Sequence, residues 1–357
     1  MRSIVRLDKK NESLWEAYLK KNQGSRIQHS LKFKEVVKET YKNCEDFYFL
    51  DKDERVLGIF PFILVKSRIF GNRLICVPFL DVGGFSGEYS QTTLKILMEN
   101  IKKSTEQIDS VEIRLNTSLE NFSKLKETLL ELGFSEKKSK HQFIVFLTSI
   151  EDMWKRFHKH TRNDIRKAQK SELEIREIKN KQELKRFYGL YVKEMVNFGT
   201  PQHSYKFFEK LFEILGESFT GFNCYYKGNL AGGLILYNYN NHAYISFNVS
   251  NQAFREHRPN DLLYWTAIKL LIGRGVKDID LGQVEKNSPK GSHAYGLYKF
   301  KSKWLGELHE RVYFRWPESK DKGESKEKYK RFRSVWKRIP VFIIKRIGPK
   351  ICAQLGI

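Results

Sequence analysis

The chain has 357 residues, with 65 Lys and Arg against 42 Asp and Glu, giving a formal net charge of +23. A hydrophobic fraction of 40%, including 26 Phe and 17 Tyr, supplies core for two ordinary domains and excludes a disordered or fibrous chain. Cys44, Cys76, Cys224 and Cys352 lie far apart, with no CxxC pair or zinc-like His spacing, so neither a disulfide framework nor a metal is expected. The polar N-terminus offers no secretory signal and no apolar run reaches the roughly 18 residues of a membrane span, so a cytoplasmic location is expected.

In chain order, Leu14 to Lys21 and Leu31 to Tyr41 have helical periodicity, and Phe47 to Asp51 and Val56 to Val65 read as strands joined by the charged turn Lys52 to Arg55. Arg73 to Pro78, the pair Gly83 and Gly84, a helix from Thr92 to Thr105 and a strand from Ser110 to Leu115 follow. The second half repeats the plan. Glu183 to Asn197 and Tyr205 to Leu215 are helical, Gly221 to Tyr226 turns into Leu230 to Tyr239, and a strand spans His242 to Val249. A helix from Asp261 to Gly273 then leads into a strand from Lys277 to Leu281. Each half sets an antiparallel hairpin beside a helix that must cover a sheet face, which predicts a duplicated α+β architecture with a mixed twisted sheet in each half.

The positive charge is concentrated. Met153 to Lys170 has seven bases and one acid, and Glu318 to the end has twelve bases and four acids. In the first stretch Lys155, Lys159, Arg162, Arg166 and Lys170 recur every three or four residues, a cation row suited to a phosphate-bearing ligand or, more plainly, a solvated helix face. Glu318 to Arg333 reads as linker or fraying helix. Beyond it, Trp336, Ile339, Phe342, Ile343 and Ile344 interleave with Lys337, Arg338, Lys345 and Arg346. That composition suits either an interfacial segment for anionic inner-leaflet lipid or a terminal helix docked on the core. Pro340 and Pro349 predict two short helices rather than one.

The run Trp154-Lys155-Arg156-Phe157 through Thr161-Arg162-Asn163-Asp164-Ile165-Arg166-Lys167-Ala168 resembles the segment opening the second domain of the Fem family. These are peptidoglycan bridge-forming aminoacyltransferases and relatives, built from two acetyltransferase-like (GNAT) domains. Further matches are Lys66 to Leu74, Pro78-Phe79 with Gly83-Gly84, Glu112-Ile113-Arg114, Phe198-Gly199-Thr200-Pro201, Pro259 to Trp265, Asp280-Leu281-Gly282 and Tyr298-Lys299-Phe300-Lys301. Their order is most similar to the subgroup associated with exopolysaccharide and protein-sorting systems, and the resemblance covers roughly residues 20–316. It implies a GNAT-like domain over 1–150 and a second over 151–317 with the active site, while the composition sets apart a basic amphipathic segment over 318–357. Two departures stand out. No long charged heptad stretch between 170 and 300 matches the helical hairpin of transfer-RNA-reading members, and Phe254 to Asn260 lacks the glycines that let backbone N–H groups cradle a coenzyme A diphosphate.

Acyl transfer to an amine needs a deprotonated nucleophile, a positioned donor and compensation of the developing oxyanion. With no G-x-S-x-G and no cysteine in a nucleophile's setting, direct attack on an ester or thioester is the simplest scheme. The resemblance makes Lys301, read here as lying in an aromatic-basic strand, the electrostatic stabiliser. Asp280, at a strand end, is a candidate base or a salt-bridging aspartate. Arg162, Asn163 and Arg166 are candidates for gripping a diphosphate. Thr200, His203, Asn260 and Tyr298 are candidates for holding substrate, with Asn260 also fitting a helix N-cap. Arg255 and Arg258 are candidates for donor phosphates.

The implied activity is transfer of an acyl or aminoacyl group, from aminoacyl-tRNA or acyl-CoA, to an amine of a nucleotide- or lipid-diphosphate-linked glycan or peptidoglycan precursor. An acyl-CoA-dependent N-acyltransferase for a sugar or small amine is the alternative. A nucleic-acid-binding protein is a third reading, although tRNA is the only nucleic acid partner in view and no DNA-binding motif is present.

Overall fold

The computed structural model describes residues 2–81, 83–87, 90–104, 108–119, 121–317, 334–336 and 338–356. The expected linker from Glu318 to Arg333 lies outside the described residues. The chain forms two compact units. One comprises the residues up to Lys140, the strand segment from His309 and the chain end from Lys350; the other comprises His141–Leu308 and the residues leading to Pro349.

In the first unit β1 (Ser3–Arg6), α1 (Glu12–Lys21) and α2 (Leu31–Thr40) precede β2 (Cys44–Lys52), β3 (Val56–Val65), β4 (Arg73–Cys76) and the two-residue β5 (Ser86–Gly87). Then come α3 (Gln91–Ser104), β6 (Ser110–Asn116), α4 (Phe122–Glu131) and β7 (Ser135–Phe146), whose end from His141 belongs to the second unit. Strands β1, β2, β3 and β4 are antiparallel neighbours. After α3 crosses over, β6 lies parallel to β4 with Arg73 opposite Ser110 and Ile75 opposite Glu112. One sheet face buries Phe47, Phe49, Phe60 and Phe62 together with Leu94, Leu97 and Met98 of α3 and Leu125 and Leu129 of α4. On the alternate positions Tyr48 meets Trp15 of α1 at a ring separation of 5.1 Å, as the two-residue period of a strand requires.

The second unit opens with α5 (Ile150–Arg156), α6 (Lys159–Lys170), β8 (Leu173–Glu177), α7 (Lys181–Phe198) and α8 (Tyr205–Leu215). It continues with β9 (Phe219–Tyr226), β10 (Asn229–Tyr239), β11 (His242–Ser250), α9 (Pro259–Gly273), β12 (Asp278–Val284) and α10 (His293–Ser302). Strands β8, β9, β10 and β11 are antiparallel neighbours, and β12 is parallel to β11 over three pairs, from His242 opposite Asp278 to Tyr244 opposite Asp280. This is the plan of the first unit again, down to the short parallel pairing. Apolar on nearly every side, α9 buries Leu263, Tyr264, Trp265, Ile268 and Leu271 in the core with Phe157 and Ile165.

The next strand, β13 (Glu307–Trp316), does not stay with the second unit as the 151–317 boundary implied. It pairs antiparallel with β6, Trp316 opposite Val111. Of the two prolines, Pro340 separates helical residues 334–336 from the next helix, as expected, whereas Pro349 breaks nothing: α11 (Val341–Leu355) carries it within. Its docked side accounts for this: Ile344 and Cys352 are buried, and the buried Gln202 donates from Nε2 to the Ile344 carbonyl at 2.9 Å. In the first unit Arg73 donates to the carbonyls of Gln354 and Leu355 at 2.8 and 2.9 Å, satisfying acceptors that a helix end leaves open.

Candidate active site

The second unit's sheet comes apart at one place. Beyond Tyr244 and Asp280 the parallel pairing of β11 and β12 stops although both strands continue. Two irregularities face each other there. On β11, Ile245 and Phe247 pair with Leu236 and Ile235, leaving Ser246 as an extra residue. On β12, Asp280 and Gln283 pair with Ile144 and Gln142, so Leu281 and Gly282 oppose the single residue Phe143. Bulges of this kind bend a strand and re-aim side chains. The result is a wedge between two central strands in which Ser246, Phe247, Asn248 and Gln283 keep partial contact with solvent.

Lys301 sits at the bottom of this wedge. It is buried, its ammonium donates to the Gln283 carbonyl at 3.1 Å, and a Cβ added to Gly282 would lie 3.2 Å from Nζ. Gly282 has φ +80, so the bulge needs the residue without a side chain. The buried Asp280 fixes the bulge by accepting the Gly282 N–H on Oδ1 at 2.8 Å. It lies within β12 rather than at its end.

The expected strand around Lys301 is a helix, α10, capped by Ser292, whose hydroxyl accepts the Tyr295 N–H. The run Tyr298 to Lys301 alternates aromatic and basic residues like a strand, but the helical spacing of Phe300 and Trp304 lets both rings pack on Tyr264 of α9, at 4.9 and 5.4 Å. Tyr298 packs on Phe143 at 5.4 Å. These contacts hold α10 and thus aim Lys301.

A residue that the sequence reading passed over belongs with this group. Glu194 shares a face of α7 with Tyr191 and Phe198, three and four residues away. Tyr191 meets Phe247 at 5.6 Å and Phe198 meets His293, at the start of α10, at 4.5 Å. Glu194 is therefore suspended between β11 and the start of α10. Its Oε2 is buried with no hydrogen-bond partner among the described residues. Burial pushes its carboxyl up to about 7, against the lowering effects of the Ser250 backbone hydrogen bond and the Arg255 charge. The signal in the sequence was a lone carboxylate among the aromatic positions of an amphipathic helix.

The other candidates fall elsewhere. Arg162 donates to the carbonyls of Trp154, Lys155 and Phe157 at 3.4, 3.1 and 2.5 Å, so its guanidinium closes the C-terminal end of α5 rather than facing a ligand. Arg166 lies over the Trp154 ring at 5.3 Å, and Asn163 is 3.5 Å from it. The cation row is thus partly engaged in holding α5 to α6, and the expected diphosphate grip by Arg162 and Arg166 is not formed. Asp164, from the same motif, bonds Lys303 at 2.9 Å and Arg258 at 3.4 Å, while Lys303 also bonds the buried Asp261. Burial raises the Asp261 carboxyl, with Lys303 opposing.

This ionic cluster sits at the start of α9, whose N-cap is Arg258; Asn260, expected to be the cap, lies inside the helix because Pro259 begins it. The Asn260 side chain accepts from Asn248 at 3.3 Å. Pro259 has no N–H, and those of Asp261 and Leu262 donate to the Arg258 carbonyl. The helix start therefore lacks the free N–H row of a diphosphate cradle, although the Arg255 and Arg258 side chains stand exposed beside it.

Thr200 follows the left-handed Gly199 that ends α7, its N–H donating to the Met195 carbonyl. His203 is buried against Phe207 at 4.3 Å and Phe247 at 5.8 Å, and burial lowers it to about 3, so it is neutral near pH 7. Burial pushes the Cys44, Cys76 and Cys224 thiols up to about 12, which disfavours a thiolate nucleophile.

The first unit has the same short parallel pairing, but its wedge is filled. Arg114 donates to the carbonyls of Val77 and Leu80 at 3.2 and 2.8 Å and pairs with Glu112 at 2.9 Å. A depression of the second unit, lined by Phe212, Glu217, Asn238 and Arg274, lies at the other end of the sheet and gathers no comparable chemistry.

Residues 155–302 match the family model described as an acetyltransferase (GNAT) domain, and these limits contain both bulges, α7 and Lys301. No curated protein matches the sequence. Among solved structures, FemX covers 86% of this chain and 96% of its own, with TM-score 0.69 at 16% identity. A tandem GNAT protein from the clavulanic acid biosynthesis pathway covers 88% and 98%, with TM-score 0.57 at 10% identity. The C-terminal domain of a putative lysylphosphatidylglycerol synthetase from Agrobacterium fabrum covers 87% and 94%, with TM-score 0.56 at 11% identity. Residues 155–302 are thus an acyltransferase domain of the GNAT type, in a chain that has the tandem, Fem-like fold.

Proposed function

We propose that the second unit transfers an acyl or aminoacyl group from an activated ester or thioester to an amine of a nucleotide- or lipid-diphosphate-linked cell-wall or exopolysaccharide precursor, at the inner face of the membrane. The observation that carries this reading is a buried ammonium, Lys301, at the base of a wedge between two bulged strands. The amine nitrogen attacks the carbonyl carbon, an N–C bond forms and the donor's C–O or C–S bond breaks. Lys301 offsets the charge on the carbonyl oxygen as it develops. Glu194, ionised above about pH 7, receives the proton that the amine loses, which then passes to the leaving oxygen or sulfur. Asp280 acts as a positioning residue by holding the bulge. Asn260 and Tyr298 flank the acceptor, and Arg255 and Arg258 meet donor phosphates by charge.

The missing N–H cradle favours an ester donor such as aminoacyl-tRNA over coenzyme A. The longest helix between residues 170 and 300 has only 18 residues, so tRNA would be met without a long inserted hairpin.

The test pairs nucleotide- and lipid-linked precursors with aminoacyl-tRNA and with acyl-CoA, and reads the mass of the acceptor. Lys301→Met should slow transfer by about 10²- to 10³-fold with acceptor affinity unchanged. A Lys301→Met protein that keeps the full rate sinks the assignment, and transfer from acyl-CoA alone to simple amines establishes the alternative.

A further inference from the structure

From Lys328 to the end the sequence has nine Lys and Arg and neither Asp nor Glu. Among the described residues, the same stretch holds four of the eight exposed large apolar side chains. Leu14, Ile69, Leu130 and Phe146 are exposed singly, whereas Val335, Val341, Phe342 and Ile343 fall within nine residues, Val335 at 61% and Phe342 at 69% exposure. They are not core residues awaiting a partner within their own unit. The docked face of α11 is the other one, through Ile344, Gly348 against Gln202, and Cys352.

Pro340, Val341, Phe342 and Ile343 thus project together at the helix start, with the exposed Arg338, Lys345 and Arg346 beside them. Nucleic acid would engage the bases and leave Phe342 and Ile343 in water. An apolar protein groove would cover the rings without calling for so many bases and no acid. A bilayer with anionic head groups satisfies both, its acyl boundary taking the apolar side chains and its phosphates the cations.

We propose that the first turn of α11 is a membrane wedge that seats the protein on an anionic phospholipid bilayer. This deepens the membrane-surface part of the proposed function and does not depend on the acyl-transfer chemistry.

The full chain is sedimented with vesicles of phosphatidylcholine alone and of phosphatidylcholine mixed with phosphatidylglycerol. It should bind only the mixed vesicles, and less as salt rises. Phe342→Ser with Ile343→Ser should lower that binding at least about tenfold while shifting Tm by far less than a core substitution would, since Phe342 is 69% and Ile343 37% exposed. Lys345→Gln with Arg346→Gln should also lower it about tenfold and flatten the salt dependence. In a Phe342→Trp protein, bromine-labelled acyl chains should quench the added fluorescence. The proposal is overturned by absence of binding to the mixed vesicles, by binding that survives the serine pair, or by an unquenched Trp. Transfer to a water-soluble nucleotide-linked acceptor, measured in parallel, reports on the active site separately, so either reading can fail alone.

Discussion

Two side chains show how one residue's surroundings decide its role. Glu194 has a folded-state value of about 7 against an ordinary 4.5, because burial disfavours its charge. The folded protein therefore holds this proton more tightly than the unfolded chain, and stability from this group is present below about pH 4.5 and lost as pH rises through 7. Glu194→Gln should remove that loss, and it should also abolish the rise in transfer rate with an apparent value near 7. Thermal melts and rate profiles from pH 4.5 to 8.5 check both, and identical pH profiles for the two proteins would show that Glu194 does not titrate in this window. Arg162 illustrates the opposite outcome. A sequence-stretch cation with a ligand's look is bonded to three carbonyls at the end of α5. Arg162→Ala should cost about 1–2 kcal/mol in urea unfolding, through carbonyls left without their charged donor. An unchanged midpoint combined with lost precursor binding would restore the ligand role.

At the scale of elements, the docking of α11 turns on one small residue. A Cβ at Gly348 would overlap Oε1 of the buried Gln202, the side chain that also bonds the Ile344 carbonyl. Gly348→Ala should therefore push Gln202 aside, lower Tm by several degrees and expose the helix to limited proteolysis; a protease pattern like that of the native protein would mean that Gln202 yields freely. Much of the order of elements was legible in the sequence. The apolar runs Val56 to Val65 and Leu230 to Tyr239, the charged or glycine turns before them, and their repetition in the two halves anticipated both sheets, because burial on both faces leaves continuous apolar strands. What was not legible depended on partners distant in sequence. The alternation Tyr298 to Lys301 has the period of a strand until Tyr264 supplies a surface for Phe300 and Trp304. Pro349 reads as a helix break until Gln202 and Arg73 supply donors for α11 carbonyls. The wedge itself could not be read at all, since it arises from a missing register between β11 and β12 rather than from a motif.

For the molecule as a whole, the net charge of +23 and two buried histidines act in one direction. His29 in the first unit and His203 in the second are each held near 3 by burial, so both stay neutral in the folded state down to low pH. Unfolded, each would take up a proton below about 6.5. Their contribution to stability is thus present above 6.5 and lost as pH falls toward 3, by about 1.4 kcal/mol per pH unit for each proton. Glu194 runs oppositely between 4.5 and 7, so between 4.5 and 6.5 one of the two histidine terms is offset and a net loss of about one proton's worth remains. Below 4.5 that offset ends, and protonation of surface carboxylates raises an already large positive charge, adding repulsion to the loss. The protein should therefore lose stability gently from pH 6.5 to 4.5 and steeply below it. Replacing His29 and His203 together with Gln should lower stability at pH 7 yet flatten the acid limb, whereas Glu194→Gln alone, with both histidines kept, should steepen the 6.5 to 4.5 segment relative to the native protein's gentle slope. Tm measured across this range at fixed ionic strength separates these slopes. A native profile that stays level down to pH 4 would show that neither histidine gains a proton on unfolding, and that the surplus charge is tolerated by the fold without cost.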